Sequence, residues 1–215
     1  MRGTGTAIAV TVVAVLLVAG CGDGGDDEPR TVELPAGCSE VDAPAAKEVQ
    51  LPRPDEPLNG PATGVVETSC GSFEIELDTA RAPRTTSSFA YLARRGVYDG
   101  TPIHRIEPGF VIQGGDPSGN GTGGPGYFVD EQPPQDLSYT RGMVAMAKSA
   151  AEPPGRSGSQ FFVVTAADAG LSPEYALLGR VSAGFEVVER IEQLGTPGGQ
   201  PRAPVTIERI SVRGG

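Results

Sequence analysis

The chain has no tryptophan, one histidine, three cysteines and only two lysines, Lys47 and Lys148, among 215 residues. Each shortage excludes something. Without tryptophan and with five tyrosines, a carbohydrate-binding barrel would lack its aromatic platforms. One histidine and so few cysteines cannot assemble a four-ligand zinc centre, and no metal site is expected. There is no G-x-S-x-G elbow; GRSGSQ (155–160) is the nearest fragment, so His104 has no obvious nucleophile to serve in a hydrolytic triad. Positive charge is scarce as well: 17 basic against 27 acidic residues give a net charge of -10 and a pI near 4.6. With no basic stripe, nucleic acid is excluded as a partner. Glycine (31) and proline (20), in contrast, are abundant.

The longest apolar run, AIAVTVVAVLLV (7–18), is too short to cross about 30 Å of hydrocarbon, which takes roughly 20 helical residues. It follows Arg2 and precedes VAGC (18–21), the order of a secretory signal. The small residues before Cys21 resemble a bacterial lipobox. That resemblance implies cleavage after residue 20, a lipid on the Cys21 sulfur, and tethering to the extracytoplasmic side of a bacterial cell membrane by two or more acyl chains. An ordinary signal peptide with a chance cysteine is the alternative. Two cysteines then remain, Cys38 and Cys70. Outside the cytoplasm a pair is expected to be oxidised, provided the two sites lie close enough to join; two free thiols are the alternative.

Residues 21–62 read as a flexible linker. GDGGDDEP (22–29) is acidic, Pro35, Pro44, Pro52, Pro54, Pro57 and Pro61 recur, and large apolar residues are few, so the segment cannot bury enough surface to fold alone. It would hold the following domain roughly 35 Å from a membrane. Residues 63–215 differ. In FEIELD (73–78) Phe73, Ile75 and Leu77 alternate with acids, which predicts a strand with one buried face. RTTSSFAYLARRG (84–96) puts Phe89, Leu92 and Ala93 on one helical face, and FEVVERIEQLG (185–195) does the same with Phe185, Val188 and Ile191. PIHRI, FVIQ, MVAMA, QFFVVT, ALLGRV and VTIERISV are short strands between glycine- and proline-rich turns. Many short strands with two helices predict a mainly β domain, a closed or nearly closed barrel with capped ends.

GNGTGG (119–124) has dinucleotide-fingerprint spacing, but Pro125-Gly126 follows and no helix begins there, so it reads as a turn. His104 and Arg105 are adjacent in a strand and point to opposite faces. Phe161 and Phe162 are adjacent too, so one must face outward.

Taken together, IHRIEPGFVIQGGD (103–116), GNGTGGPGY, GMVAMA, GSQFFVVT and LLGRV-x-x-G-F-E-V-V, in this order, resemble the cyclophilins over residues 64–213. The resemblance implies an eight-stranded antiparallel closed β-barrel capped by two α-helices, and peptidyl-prolyl cis/trans isomerase activity without a cofactor. It places the catalytic arginine at Arg105, with Gln113 and Phe110 beside it. It places the substrate-binding residues at Val111, Ala147, Lys148, Gln160, Phe162 and Leu171, with Tyr175 at a position where many members carry histidine. His104 falls on a structural histidine. Val111 stands for the usual methionine, Lys148 for a common asparagine, and Gly170 lies near a tryptophan the chain lacks. That tryptophan supplies much of the family's cyclosporin binding, so weak cyclosporin inhibition with isomerisation retained is expected; a submicromolar inhibition constant would contradict this. The implied partners are proline-containing segments of exported proteins, with the chain a monomer. A non-catalytic proline-binding scaffold or adhesin on the same fold is the rival reading.

Overall fold

Alternation sets the first hairpin. In the computed structural model, which describes residues 32–55 and 57–215, β1 (Ala62–Thr68) and β2 (Gly71–Leu77) pair antiparallel across Ser69-Cys70. Phe73, Ile75 and Leu77 are buried, whereas Glu76 is exposed on the other face. The signal segment 1–20 and the lipidation candidate Cys21 lie outside the described residues.

The remaining strands are β3 (Thr101–Pro102), β4 (Arg105–Glu107), β5 (Val111–Gly114), β6 (Val129–Asp130), β7 (Met143–Met146), β8 (Arg156–Ser157), β9 (Phe161–Val164), β10 (Leu177–Ala183) and β11 (Thr206–Gly214). Nine of the eleven form one antiparallel sheet in the order β3-β11-β1-β2-β10-β7-β9-β5-β4, and β6 pairs with β8 in a small ribbon. The two edges, β3 and β4, are consecutive in the chain and separated only by Ile103 and His104. The sheet therefore curls until its edges meet at that dipeptide. This is the capped barrel the sequence predicts, with two corrections: the sheet has nine strands rather than eight, and covalent continuity rather than a hydrogen-bonded ladder joins its edges. The short β3 and β4 leave too few residues for a ladder between them.

Period-two alternation sorts side chains into two apolar clusters. Ile106, Ile112, Val144, Met146, Phe161, Val163 and Leu178 join the barrel interior. Their neighbours Val111, Met143, Ala145, Phe162, Val164 and Leu177 form a second cluster on the outer face. Both faces of β7 and β9 are thus covered, which is why MVAM and FFVV are apolar without a break. Inside, Phe161 packs edge-on against Phe89 and Tyr98 at centroid distances of 5.8 and 5.9 Å.

Helix α1 (Pro83–Arg94) buries Phe89, Leu92 and Ala93, and α2 (Phe185–Glu192) buries Val187, Val188 and Ile191. Phe185 stays half-buried beneath the Arg141 guanidinium, 4.5 Å from its ring centroid. No residue of α1 caps its own N-terminus. Instead the Glu131 carboxylate accepts the Arg84 and Thr85 N–H groups at 3.1 and 2.7 Å, an anion on the positive end of the helix.

The linker expectation fails from Val32 onward. Residues 32–55 and 57–61 lie along the barrel as a strap. Leu34, Cys38, Val49 and Leu51 pack against the interior cluster, and Leu58 is buried within it. Cys38 and Cys70 are joined in a disulfide. Ser39, Lys47 and Leu51 donate backbone N–H groups to Ser69, Pro117 and Pro125 at 2.7, 2.8 and 2.9 Å. Such a composition rules out folding alone. Docking on a finished barrel needs only a few apolar side chains at the right spacing, because the barrel has already formed the surface they cover.

Candidate active site

The strand registers assemble the site. Arg105 lies opposite Gln113, Gln113 opposite Phe162, and Phe162 opposite Ala145. Four residues from the neighbouring strands β4, β5, β9 and β7 therefore form a single row on the outer face. Directly opposed side chains in such a row are neighbours, so a cation, an amide and a ring line up with no loop between them.

The polar half of the row is a chain of contacts. Arg105 Nη2 pairs with Glu107 Oε2 at 2.5 Å, and Nη1 donates to Gln113 Oε1 at a long 3.4 Å. Gln113 Nε2 donates to Gln160 Oε1 at 3.0 Å, and Gln160 Nε2 donates to the Gly123 carbonyl at 3.0 Å. The guanidinium carbon sits 5.4 Å from the Phe110 ring centroid. At 41% side-chain exposure Arg105 is open to a ligand while fixed at its far side by Glu107.

The apolar half is a niche. Phe162 and Val111 are buried, and Phe110, Leu171 and Tyr175 are half-buried around them. Tyr175 stands edge-on to Phe162 at 5.5 Å. Its loop is held by Tyr139, whose hydroxyl donates to the Tyr175 carbonyl at 2.6 Å and accepts the Tyr175 N–H at 3.0 Å. Burial, partly offset by the N–H that Tyr175 donates to the phenol oxygen, pushes the Tyr139 hydroxyl up to about 12, so it stays protonated at neutral pH. Gly170 is exposed with open space where a side chain would project, leaving that flank of the niche uncovered.

Ala147 extends β7 by one residue, donating its N–H to the Gln160 carbonyl at 2.8 Å. Lys148 is different in kind. Its side chain is 4% exposed and turned inward, with Nζ 3.4 Å from Glu174 and donating to the Ser149 and Glu152 carbonyls. Its ammonium also lies 5.4 Å from the centroid of the Tyr175 ring, at the rim of the niche. Of the residues singled out in the sequence, Arg105, Phe110, Val111, Gln113, Ala147, Gln160, Phe162, Leu171 and Tyr175 converge here. Glu107 and Tyr139 escaped sequence reasoning. The i,i+2 spacing of Arg105 and Glu107 on a strand was the available signal for the first.

His104 points away from this row. Both ring nitrogens are buried without a hydrogen-bond partner. Burial holds the imidazole below its ordinary value, with the Asp116 carboxylate pulling the other way. The folded protein thus refuses a proton that the unfolded chain accepts. Stability contributed by this residue is full above about pH 6.5 and declines as pH falls below it. The urea midpoint should be lower at about pH 5.5 than at about pH 7.5, with a smaller gap in His104→Gln. An equal gap in both proteins would contradict the assignment.

GNGTGG is a turn closed on itself. The buried Asp116 carboxylate accepts the N–H groups of Ser118, Asn120 and Gly121 at 2.8, 3.1 and 2.6 Å. Burial alone would raise its pKa, but these bonds and the Ser118 hydroxyl hold it below the ordinary value. The loop amides therefore point at the protein's own carboxylate rather than outward to a phosphate.

Residues 64–212 match the family described as cyclophilin type peptidyl-prolyl cis-trans isomerase. The chain belongs to that family. Among curated proteins, this cyclophilin is 37% identical over 153 residues to the peptidyl-prolyl cis-trans isomerase-like 1 of Gibberella zeae, covering 69% of this chain and 92% of that protein. It is 43% identical over 141 residues to the Homo sapiens protein of the same name, covering 63% and 82% respectively. A solved Cryptosporidium parvum cyclophilin type isomerase superposes with a TM-score of 0.67 at 30% identity, over 73% of this chain and 99% of that one. The same parasite protein has also been solved in the presence of the dipeptide Ala-Pro. The family match begins at residue 64 and does not bear on the segments before it.

Proposed function

We propose that this cyclophilin accelerates X-Pro rotation in exported or surface polypeptides by stabilising the twisted amide with Arg105, from a lipid anchor on Cys21. The observation that carries the catalytic part is the Arg105–Gln113–Phe162 row beside the niche. The barrier to rotation, about 18–20 kcal/mol, comes from amide resonance. When the bond twists, the nitrogen regains a lone pair. A guanidinium donor aimed at that nitrogen binds the twisted form better than either planar one, which is differential binding of the transition state. The donor is preorganised by Glu107 and so needs little rearrangement during the reaction. Phe162, Val111 and the rim of Phe110 and Tyr175 suit the pyrrolidine ring, while Gln113 suits the carbonyl that swings. No bond breaks and no proton moves, so the reaction asks for no nucleophile.

The rival reading, a scaffold that grips proline segments without turnover, draws on one observation: Arg105 is already paired to Glu107. Turnover by catalytic amounts of the full chain decides between them. The anchor is tested separately by fatty-acid incorporation in bacterial cells. Label on the wild type and none on Cys21→Ser is expected; equal labelling of both, or none on either, would defeat the anchor. Uncatalysed X-Pro exchange takes tens of seconds or longer, which gives an exported-protein isomerase a rate to improve.

A further inference from the structure

We propose that residues 47–50 of the strap are a specificity-determining wall of this enzyme, reading the side chain that precedes the X-Pro pair and favouring a basic one. The proposal rests on the isomerase reading above and concerns what the strap, which precedes the family match at residue 64, adds to the pocket beside the niche. A cavity of about 900 Å³ adjoins the proline niche. Lys47–Gln50 line one side, the glycine-rich loop 121–126 another, and Lys148–Glu152 a third, while Gln113, Gln160 and Ala147 open it to the Arg105 row. A peptide with proline in the niche and its moving carbonyl at Gln113 has its preceding residues at this opening.

The strap is built into the wall rather than lying near it. Its backbone is fixed at both ends of the stretch by the Lys47–Pro117 and Leu51–Pro125 hydrogen bonds, 2.8 and 2.9 Å. In an extended chain alternate residues face opposite ways. Val49 and Leu51 pack toward the interior cluster, and Glu48 and Gln50 are exposed. Gln50 presses on Gly126, where a β-carbon would collide with Gln50 Oε1 and stand 3.0 Å from Gln50 Cα. Only glycine at 126, already at φ +89°, admits the strap this close.

The charges lining the cavity are not equivalent. The Lys47 ammonium donates to the Asp99 carbonyl. Lys148 is turned inward to Glu174 and to the Ser149 and Glu152 carbonyls. The Glu152 carboxylate accepts the Ser149 N–H at 2.6 Å and makes no ion pair among the described residues. Glu48 makes no ion pair among the described residues. With Lys148 paired to Glu174, the lining keeps two acidic side chains without an ion-pair partner among the described residues, Glu48 and Glu152, against one cation, Lys47, on a protein of net charge -10.

The test compares kcat/KM of the full chain on peptides W-Ala-Pro-Phe with W as Lys, Ala or Glu. Lys should exceed Glu by about two- to fivefold, the range of a partly exposed ion pair, and the margin should shrink as salt is raised. Glu48→Gln should remove most of the margin and leave the Ala peptide unchanged; Gln50→Ala should widen tolerance at W. An unchanged Lys-to-Glu ratio in both variants overturns the proposal, as does an equal shift for all three peptides, which would mark the strap as a simple cover. If the wild type turns over no peptide, the isomerase reading fails instead. The same ratio taken from dissociation constants by fluorescence anisotropy then decides the strap proposal by the same criteria.

Discussion

Arg105→Ala should lower kcat/KM for an X-Pro peptide by about 10²–10³, the usual loss when one preorganised donor to a transition state is removed. The loss should appear mainly in kcat, because the niche that holds the ring is intact. Stability should hardly change. The side chain is 41% exposed and its main partner, Glu107, is 34% exposed, so deleting the pair costs about 0.5 kcal/mol or less and moves the thermal midpoint by roughly 1–2 °C. Arg105→Lys should recover little. A single ammonium cannot hold Glu107 and present a second donor to the amide nitrogen, as the forked guanidinium does. A variant that keeps wild-type kcat would remove Arg105 from the chemistry.

The largest stability effect is expected one strand away, at Phe161. This ring is 1% exposed and packs edge-on against both Phe89 and Tyr98. Phe161→Ala removes the transfer energy of the ring and leaves a cavity against Phe89 of α1 and Tyr98 of the turn that follows it, costing about 3–5 kcal/mol. Against a typical total of about 5–15 kcal/mol, that is a large fraction, and the urea midpoint should fall with little change in slope. The adjacent Phe162→Leu should behave in the opposite way. It keeps most of the buried volume of the outer cluster but alters the floor of the niche, so KM should rise while the midpoint moves much less. Equal stability losses in the two variants would mean that the two faces of β9 are not energetically distinct.

That contrast shows what the sequence could and could not reveal. Alternation in FEIELD, and the adjacency of Phe161 and Phe162, are local signals, and the strands read from them have the predicted faces. The outward face of Phe162 is not solvent, however. Tyr139 and Tyr175 cover it, and nothing local to residue 139 announces that its hydroxyl will bridge the backbone of residue 175. The same holds for Glu131, which caps a helix 46 residues earlier in the chain, and for the nine-stranded count, since two-residue strands carry no periodicity. The strap is illegible for a different reason. Its composition forbids independent folding, and composition is silent about docking. Only Val49 and Leu51, spaced for one face of an extended chain, and the pairing of Cys38 with Cys70 held a hint of it.

The most direct test of the account is two-dimensional exchange NMR on an Ala-Pro peptide in large excess over the full chain. Exchange cross-peaks between the cis and trans resonances, with a rate proportional to wild-type concentration and at least about 10²-fold weaker with Arg105→Ala, are the predicted result. Saturable binding of the peptide with no exchange above the uncatalysed rate, or exchange of equal strength with both proteins, would contradict it.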